Sequence, residues 1–131
     1  MDFSFGKEYK LCSLKQIDYL FKEGKKIKEY PITIIYSPTE LVLTTHFQLL
    51  ISVPKRLFKK AHDRNYIKRC VKEIVRKNKY ELEMQLQTNN KKLIFAIVYT
   101  SKEHLAFPIL EQKLVKAIAK LTLQLNQNDK N

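Results

Sequence analysis

Between His62 and Lys79 the chain reads HDRNYIKRCVKEIVRKNK, with Ile67, Cys70, Val71, Ile74 and Val75 falling at i, i+3, i+4, i+7 and i+8. At helical pitch these five side chains share an arc of about 140°. Lys68, Lys72, Asn65, Arg76 and Arg69 fall opposite, from about 100° to about 200° relative to Ile67. The spacing predicts a long amphipathic helix whose apolar stripe must be covered by another layer. That requirement limits the fold more than any other feature, because the cations are then held outward as a rigid row.

The covering layer is legible on both sides of the helix. "ITIIY" (32–36), after Pro31, and "HFQLLISV" (46–53), closed by Pro54, carry the β-branched and apolar character of strands. "KKLIFAIVYT" (91–100) has the unbroken apolar run of a central strand, with Lys91 and Lys92 at its start. Between the first two runs, "SPTELVLTT" is read as a hairpin loop, with or without a short strand of its own. Ser13 and Gln16 form a capping-box pattern ahead of Leu14, Ile17, Leu20 and Phe21 at helical spacing, and Gly24 stands at the C-terminal cap. A last helix is expected from Pro108, with Leu110, Leu114, Ala117, Ile118, Leu121 and Leu125 as its buried stripe. Residues 1–12 are read as an extended arm and 126–131 as a fraying tail. The 131 residues suit one domain, 1–131, with a single core. The expected architecture is α+β, three helices packed on a small mixed sheet.

Charge narrows the function. The formal net charge is +12, and residues 54–79 alone hold eleven Lys or Arg against two acids, a net +9. A focused field of that sign selects polyanions: nucleic acid first, an anionic membrane second. The bland alternative is a solubilising face. Three details favour binding. Like charges at 64/68, 68/72, 69/72 and 72/76 are helical neighbours that repel in the free helix, relieved only by Glu73. Arginine's planar fork accompanies lysine and suits two-point phosphate contact. Lys55, Arg56, Lys59 and Lys60 extend the basic surface into the approach loop. Arg64 projects near the apolar edge, so its stem can pack while its head caps a nearby carbonyl; Asn65 can hydrogen-bond at the helix start. Lys68, Arg69 and Lys72 have no packing role in this projection.

With those residues placed, "ISVPKR" (51–56) followed by "DRNYIKRCVKE" (63–73) resembles the signature of the bacterial ribonuclease P protein component. The matching residues are Ser52, Val53, Lys55 and Arg56, then Arg64, Asn65, Lys68, Arg69 and Glu73, with Lys72 where the family usually has arginine. "LKQIDYLFKEG" (14–24) resembles the family's first helix, whose cleft-facing positions would be Ile17 and Phe21. The chain departs from the pattern at Leu50, at the glycine-free "FKKAH" loop, which is one residue longer, and at Asp63. The resemblance implies a two-layer sandwich with a left-handed βαβ crossover, the topology of a ribosomal-protein domain. It also implies a noncatalytic partner of a ribozyme. The RNA subunit, with bound Mg²⁺, removes the 5′ leader of precursor tRNA; the protein docks on that RNA and holds the single-stranded leader against its first helix and sheet. Phe21 and Tyr36 are candidate stacking platforms, the alternative for each being an ordinary core aromatic.

Protein-based catalysis finds little support. His46, His62 and His104 form no ligand spacing, Cys70 lies on the apolar stripe, and no acidic cluster suits two metals. His62 beside Asp63 is the one conceivable general-base pair, against the simpler reading of a solvated turn histidine. Two cysteines without C-x-x-C spacing, no apolar signal segment and no membrane-length apolar run lead to the expectation of a cytoplasmic protein. DNA is disfavoured by the lack of helix-turn-helix spacing before residue 62. Membrane binding is disfavoured because the apolar stripe is needed by the core. A ribosome-associated or general RNA-binding protein would carry the same basic helix.

Overall fold

The computed structural model describes residues 7–39 and 45–128. A short 3-10 turn (Lys7–Tyr9) precedes α1 (Leu14–Glu23), β1 (Lys25–Glu29), β2 (Ile32–Thr39), β3 (Phe47–Ser52), α2 (Ala61–Thr88), β4 (Lys92–Tyr99) and α3 (Phe107–Asn128). The sheet order is β1-β2-β4-β3, antiparallel except for the β3/β4 pair. β3, α2 and β4 therefore form a parallel βαβ unit inside a mixed sheet, as expected for the α+β class. β4 is the central strand its continuous apolar run implied.

Pleating sorts the sheet residues onto two faces. Ile27, Ile32, Ile34, Tyr36, Phe47, Leu49, Leu93, Phe95, Ile97 and Tyr99 form one buried cluster with α2 and α3. From α2 come Ile67, Cys70, Val71, Ile74 and Val75, joined further on by Leu82 and Leu86; from α3 comes the whole expected stripe, Leu110 to Leu125. The opposite face carries a smaller cluster: Leu11, Leu20, Ile35, Ile94 and Ala96, with Ile17, Leu50 and Val98 packed against it. A single α-helix covers that face.

Three features depart from the sequence reading. β1 was not anticipated: KKIKE has one apolar residue, Ile27, and pairs only with β2 as an edge strand, which tolerates its exposed lysines. The amino-terminal arm is not wholly extended. After its 3-10 turn, Lys10 bridges to Leu49, the Leu11 amide donates to the Leu49 carbonyl at 2.9 Å, and both Tyr9 and Leu11 are buried. The tail expected to fray from residue 126 continues α3 through Asn128; residues 129–131 lie outside the described part. The loop between β2 and β3 also lies there at 40–44, while residues 37–39 complete β2.

A lysine is buried within α2. Lys79 Nζ donates to the Tyr9 hydroxyl at 2.9 Å and sits 4.2 Å from the centre of that ring, with the Glu83 carboxylate 3.6 Å away. The Tyr9 hydroxyl in turn donates to Glu83 Oε1 at 2.6 Å. Charge and hydroxyl satisfy one another, which is the condition for placing an ammonium in a core. The group ties the arm to the helix.

Gly24 caps α1 in an extended conformation (φ −68°, ψ 150°), so left-handed backbone is not what calls for glycine. Space is. A Cβ there would stand 2.5 Å from the Leu20 carbonyl oxygen and 2.7 Å from Ile35 Cγ2, where the chain turns from α1 into β1. Gly24→Ala must push α1 off the sheet, and we expect it to cost about 1–3 kcal/mol, as overpacking does, read as a lower urea midpoint with an unchanged slope.

Candidate nucleic-acid interface

The approach loop is anchored from below. Phe58 is buried and Leu57 half-buried, and the Leu57 and Phe58 amides donate to the Pro54 carbonyl. Arg64 reaches back from the first turn of α2 and donates through Nη1 to the carbonyls of Phe58 (2.8 Å) and Lys59 (2.9 Å). The half-buried Arg64 thus fixes the loop against the helix. Lys55, Arg56, Lys59 and Lys60 remain exposed along it.

On α2 itself Asn65, Lys68, Arg69 and Lys72 are exposed, opposite a stripe in which Ile67, Val71, Ile74 and Val75 are almost wholly buried. Arg76 is half-buried and forks onto Glu73, Nε to Oε2 at 3.0 Å and Nη2 to Oε1 at 2.5 Å. The hydrogen bond holds the Glu73 carboxyl below its ordinary range and the guanidinium above its own. Arg76 is therefore partly committed, whereas Lys68, Arg69 and Lys72 form the outward row. Asp63, in the first turn where an acid complements the helix dipole, lies with Oδ1 3.7 Å from His104 Nε2. His62 is exposed, and the acid–base partnership that Asp63 enters is with His104.

A second surface lies across the sheet. Ile17 packs on the smaller cluster, Phe21 is 42 % exposed and Leu14 more so, all three on one side of α1 by helical spacing. In the sheet register Lys28, Thr33, Val98 and Ser52 stand side by side, one pleat beyond the row of Lys26, Ile35, Ala96 and Leu50 that α1 packs against. Thr33, Val98 and Ser52 are half-buried, and Lys28 is exposed. This face therefore carries a pleat of apolar and hydroxyl side chains, the exposed ring of Phe21 and the Lys28 ammonium.

Tyr36 does not belong to it. Its side chain alternates onto the α2/α3 face, is 1 % exposed, and donates its hydroxyl to Gln124 Oε1 at 2.6 Å. The stacking role considered for Tyr36 is thereby corrected: an even-numbered position on β2 faces the main core with Ile32 and Ile34. Ile17 and Phe21 do share the α1 side. Lys28, Thr33 and Val98 were not singled out from sequence, and Ser52 only as part of the signature, because their place side by side depends on the register of the unanticipated β1 and on which pleat α1 covers. Among the described residues no group of three or more His, Cys, Asp or Glu gathers as a metal site. No described helix is long and apolar enough to cross a membrane.

Comparison with known proteins agrees with this fold. The family model described as Ribonuclease P matches residues 5–122. The ribonuclease P protein component of Porphyromonas gingivalis is 29 % identical over 119 residues, covering 91 % of this chain and 87 % of the relative. That of Photorhabdus laumondii is 34 % identical over 79 residues, 60 % of this chain and 64 % of the relative. Among solved structures, the RNase P protein from Thermotoga maritima superposes with a TM-score of 0.65 at 24 % identity, over 82 % of this chain and 92 % of that one. The Staphylococcus aureus RNase P protein gives 0.68 at 17 % identity, over 86 % and 94 %. Those two likenesses establish the fold; the sequence match establishes the kinship. The chain belongs to the ribonuclease P protein family, the protein component of that tRNA-processing endoribonuclease.

Proposed function

We propose that this protein binds the catalytic RNA of ribonuclease P through the amino-terminal half of α2 and its approach loop, and holds the single-stranded 5′ leader of precursor tRNA in the cleft beside α1. One observation carries the reading. Lys68, Arg69 and Lys72 stand exposed on a helix whose opposite stripe is locked into the core, so the row keeps a fixed spacing and direction. Regularly spaced cations match regularly spaced phosphates, and release of condensed counterions drives the association. Lys55, Arg56, Lys59, Lys60 and Asn65 widen the footprint. Arg64 serves it chiefly by holding the loop, and Arg76 lies at its far end with part of its charge turned to Glu73.

The cleft supplies a different chemistry. A leader lacks a complementary strand, so its bases are free to stack, and Phe21 with Ile17 offers an exposed aromatic–aliphatic wall. Lys28 stands at the β1 end of the cleft for the leader's backbone. Hydrolysis belongs to the RNA and its Mg²⁺. The binding face is cationic, which suits phosphate and does not suit a divalent cation, so the metal's ligands are expected on the RNA. In this reading the protein works in the cytoplasm, positioning substrate for a ribozyme.

Three outcomes check it. Arg69→Ala with Lys72→Ala should weaken binding to the catalytic RNA and flatten the log–log salt dependence by roughly 1.4–1.8, two phosphate contacts' worth; equal affinity and slope would remove the docking role. Phe21→Ala should weaken binding of leader-bearing precursor tRNA to the assembled holoenzyme by about tenfold, leaving mature tRNA unaffected. Purified protein alone should leave precursor tRNA intact, yet restore cleavage by the RNA subunit at low Mg²⁺. Cleavage without RNA would assign catalysis to the protein instead.

A further inference from the structure

A groove of about 280 Å³ opens between α2 and the start of α3, on the helical side of the sheet and away from the cleft beside α1. Tyr66, Arg69, Cys70, Glu73 and Phe107 line it. The four α2 residues follow i, i+3, i+4 and i+7, a stripe between the buried one and the outward cations, and Arg69 belongs to both groove and row. Tyr66 is 45 % exposed, Phe107 is half-buried at the first position of α3, and the Lys77 ammonium lies 6.0 Å from the Phe107 ring centre. The Cys70 side chain, by hydrogen bond, holds the Tyr66 phenol above its ordinary range.

We propose that this groove receives one unstacked base of the RNA whose phosphates lie on the α2 row, a purine in preference to a pyrimidine. The inference rests on the RNA-binding reading of α2 and adds a base subsite to it. The lining decides the occupant. Two aromatic side chains and a buried thiol make the surface a stacking platform, and stacking strengthens with ring area, which favours purines. Glu73 repels a phosphate from the groove, while its carboxylate, with only two of about four lone-pair sites taken by Arg76, accepts from a base amine. Arg69 lines the groove, Arg76 is paired with its Glu73 and Lys77 lies over its Phe107; cations so placed draw a polyanion and would do nothing for an apolar protein segment. A nucleotide whose phosphate sits at Arg69 therefore has its base within reach of Tyr66 and Phe107.

The chain has no tryptophan, so Phe107→Trp places a single emitter in the groove. The probes are five-residue RNA backbones, abasic except for a central adenine, a central uracil or nothing, titrated at low salt. The adenine oligomer should quench emission and bind about tenfold tighter than the abasic one, one stack's worth, with uracil between. Tyr66→Ala in the same background should bring adenine to the abasic level. Tyr66→Trp, at an exposed position, gives a second reporter should the first variant fold poorly. Lys68→Ala should weaken all three oligomers alike. Equal binding of adenine and abasic oligomers, with unquenched emission but retained salt dependence, overturns the base subsite and leaves the phosphate row standing. Binding of none of them, at any salt, overturns both.

Discussion

The rotation of α2 about its own axis is the constraint on which the rest depends. Ile67, Val71, Ile74 and Val75, continued by Leu82 and Leu86, are nearly solvent-free against the sheet and α3. A helix held along one stripe for that distance cannot roll, and a helix that cannot roll presents its opposite face in one orientation. Repulsion among the exposed cations, unfavourable in isolation, is opposed by apolar burial on the far side of the helix, with Glu73 pairing Arg76. Buried Lys79, satisfied by Tyr9 and Glu83, adds a polar tie beyond the basic half. Stability and binding are thus assigned to different sides of the same element.

The sheet shows a second asymmetry. One face is covered by two long helices, the other by the ten residues of α1. α1 sits on the row of Ile35, Ala96 and Leu50, and the pleat of Thr33, Val98 and Ser52, one step along the strands, is left half-buried. Gly24 sets how closely α1 seats on the sheet, since a Cβ there would meet the Leu20 carbonyl oxygen and Ile35. α2 belongs to the other layer, so the cationic row and the α1 side of the sheet are served by different helices.

Much of this was legible in the residues. The stripes of α2 and α3 have strict helical periods, and every apolar residue assigned to them is buried, because amphipathic periodicity is enforced by burial itself. The strands ITIIY and KLIFAIVY were visible for the same reason but silent about direction: a segment covered on both faces gives no alternation to say which side Tyr36 takes. β1 was hidden by its edge position, where KKIKE pairs through backbone groups and needs only Ile27 inside. Lys79 read as one more surface cation, since nothing local announces that Tyr9, seventy residues earlier, will close over it. Separation in sequence likewise keeps Tyr66 and Phe107, the two aromatics of the α2/α3 groove, out of any common motif. Local pattern reveals elements; sites assembled by packing emerge only with the third dimension.

The two borders of the sheet carry a consequence of their own. Along β3 the outer backbone is partly occupied by Lys10 and Leu11, and along β1 it is fringed by Lys25, Lys26 and Lys28. A foreign strand approaching the first border meets donors and acceptors already in use; one approaching the second meets like charge from a sister molecule. Both borders are thus ill suited to edge-to-edge pairing between copies of so cationic a chain.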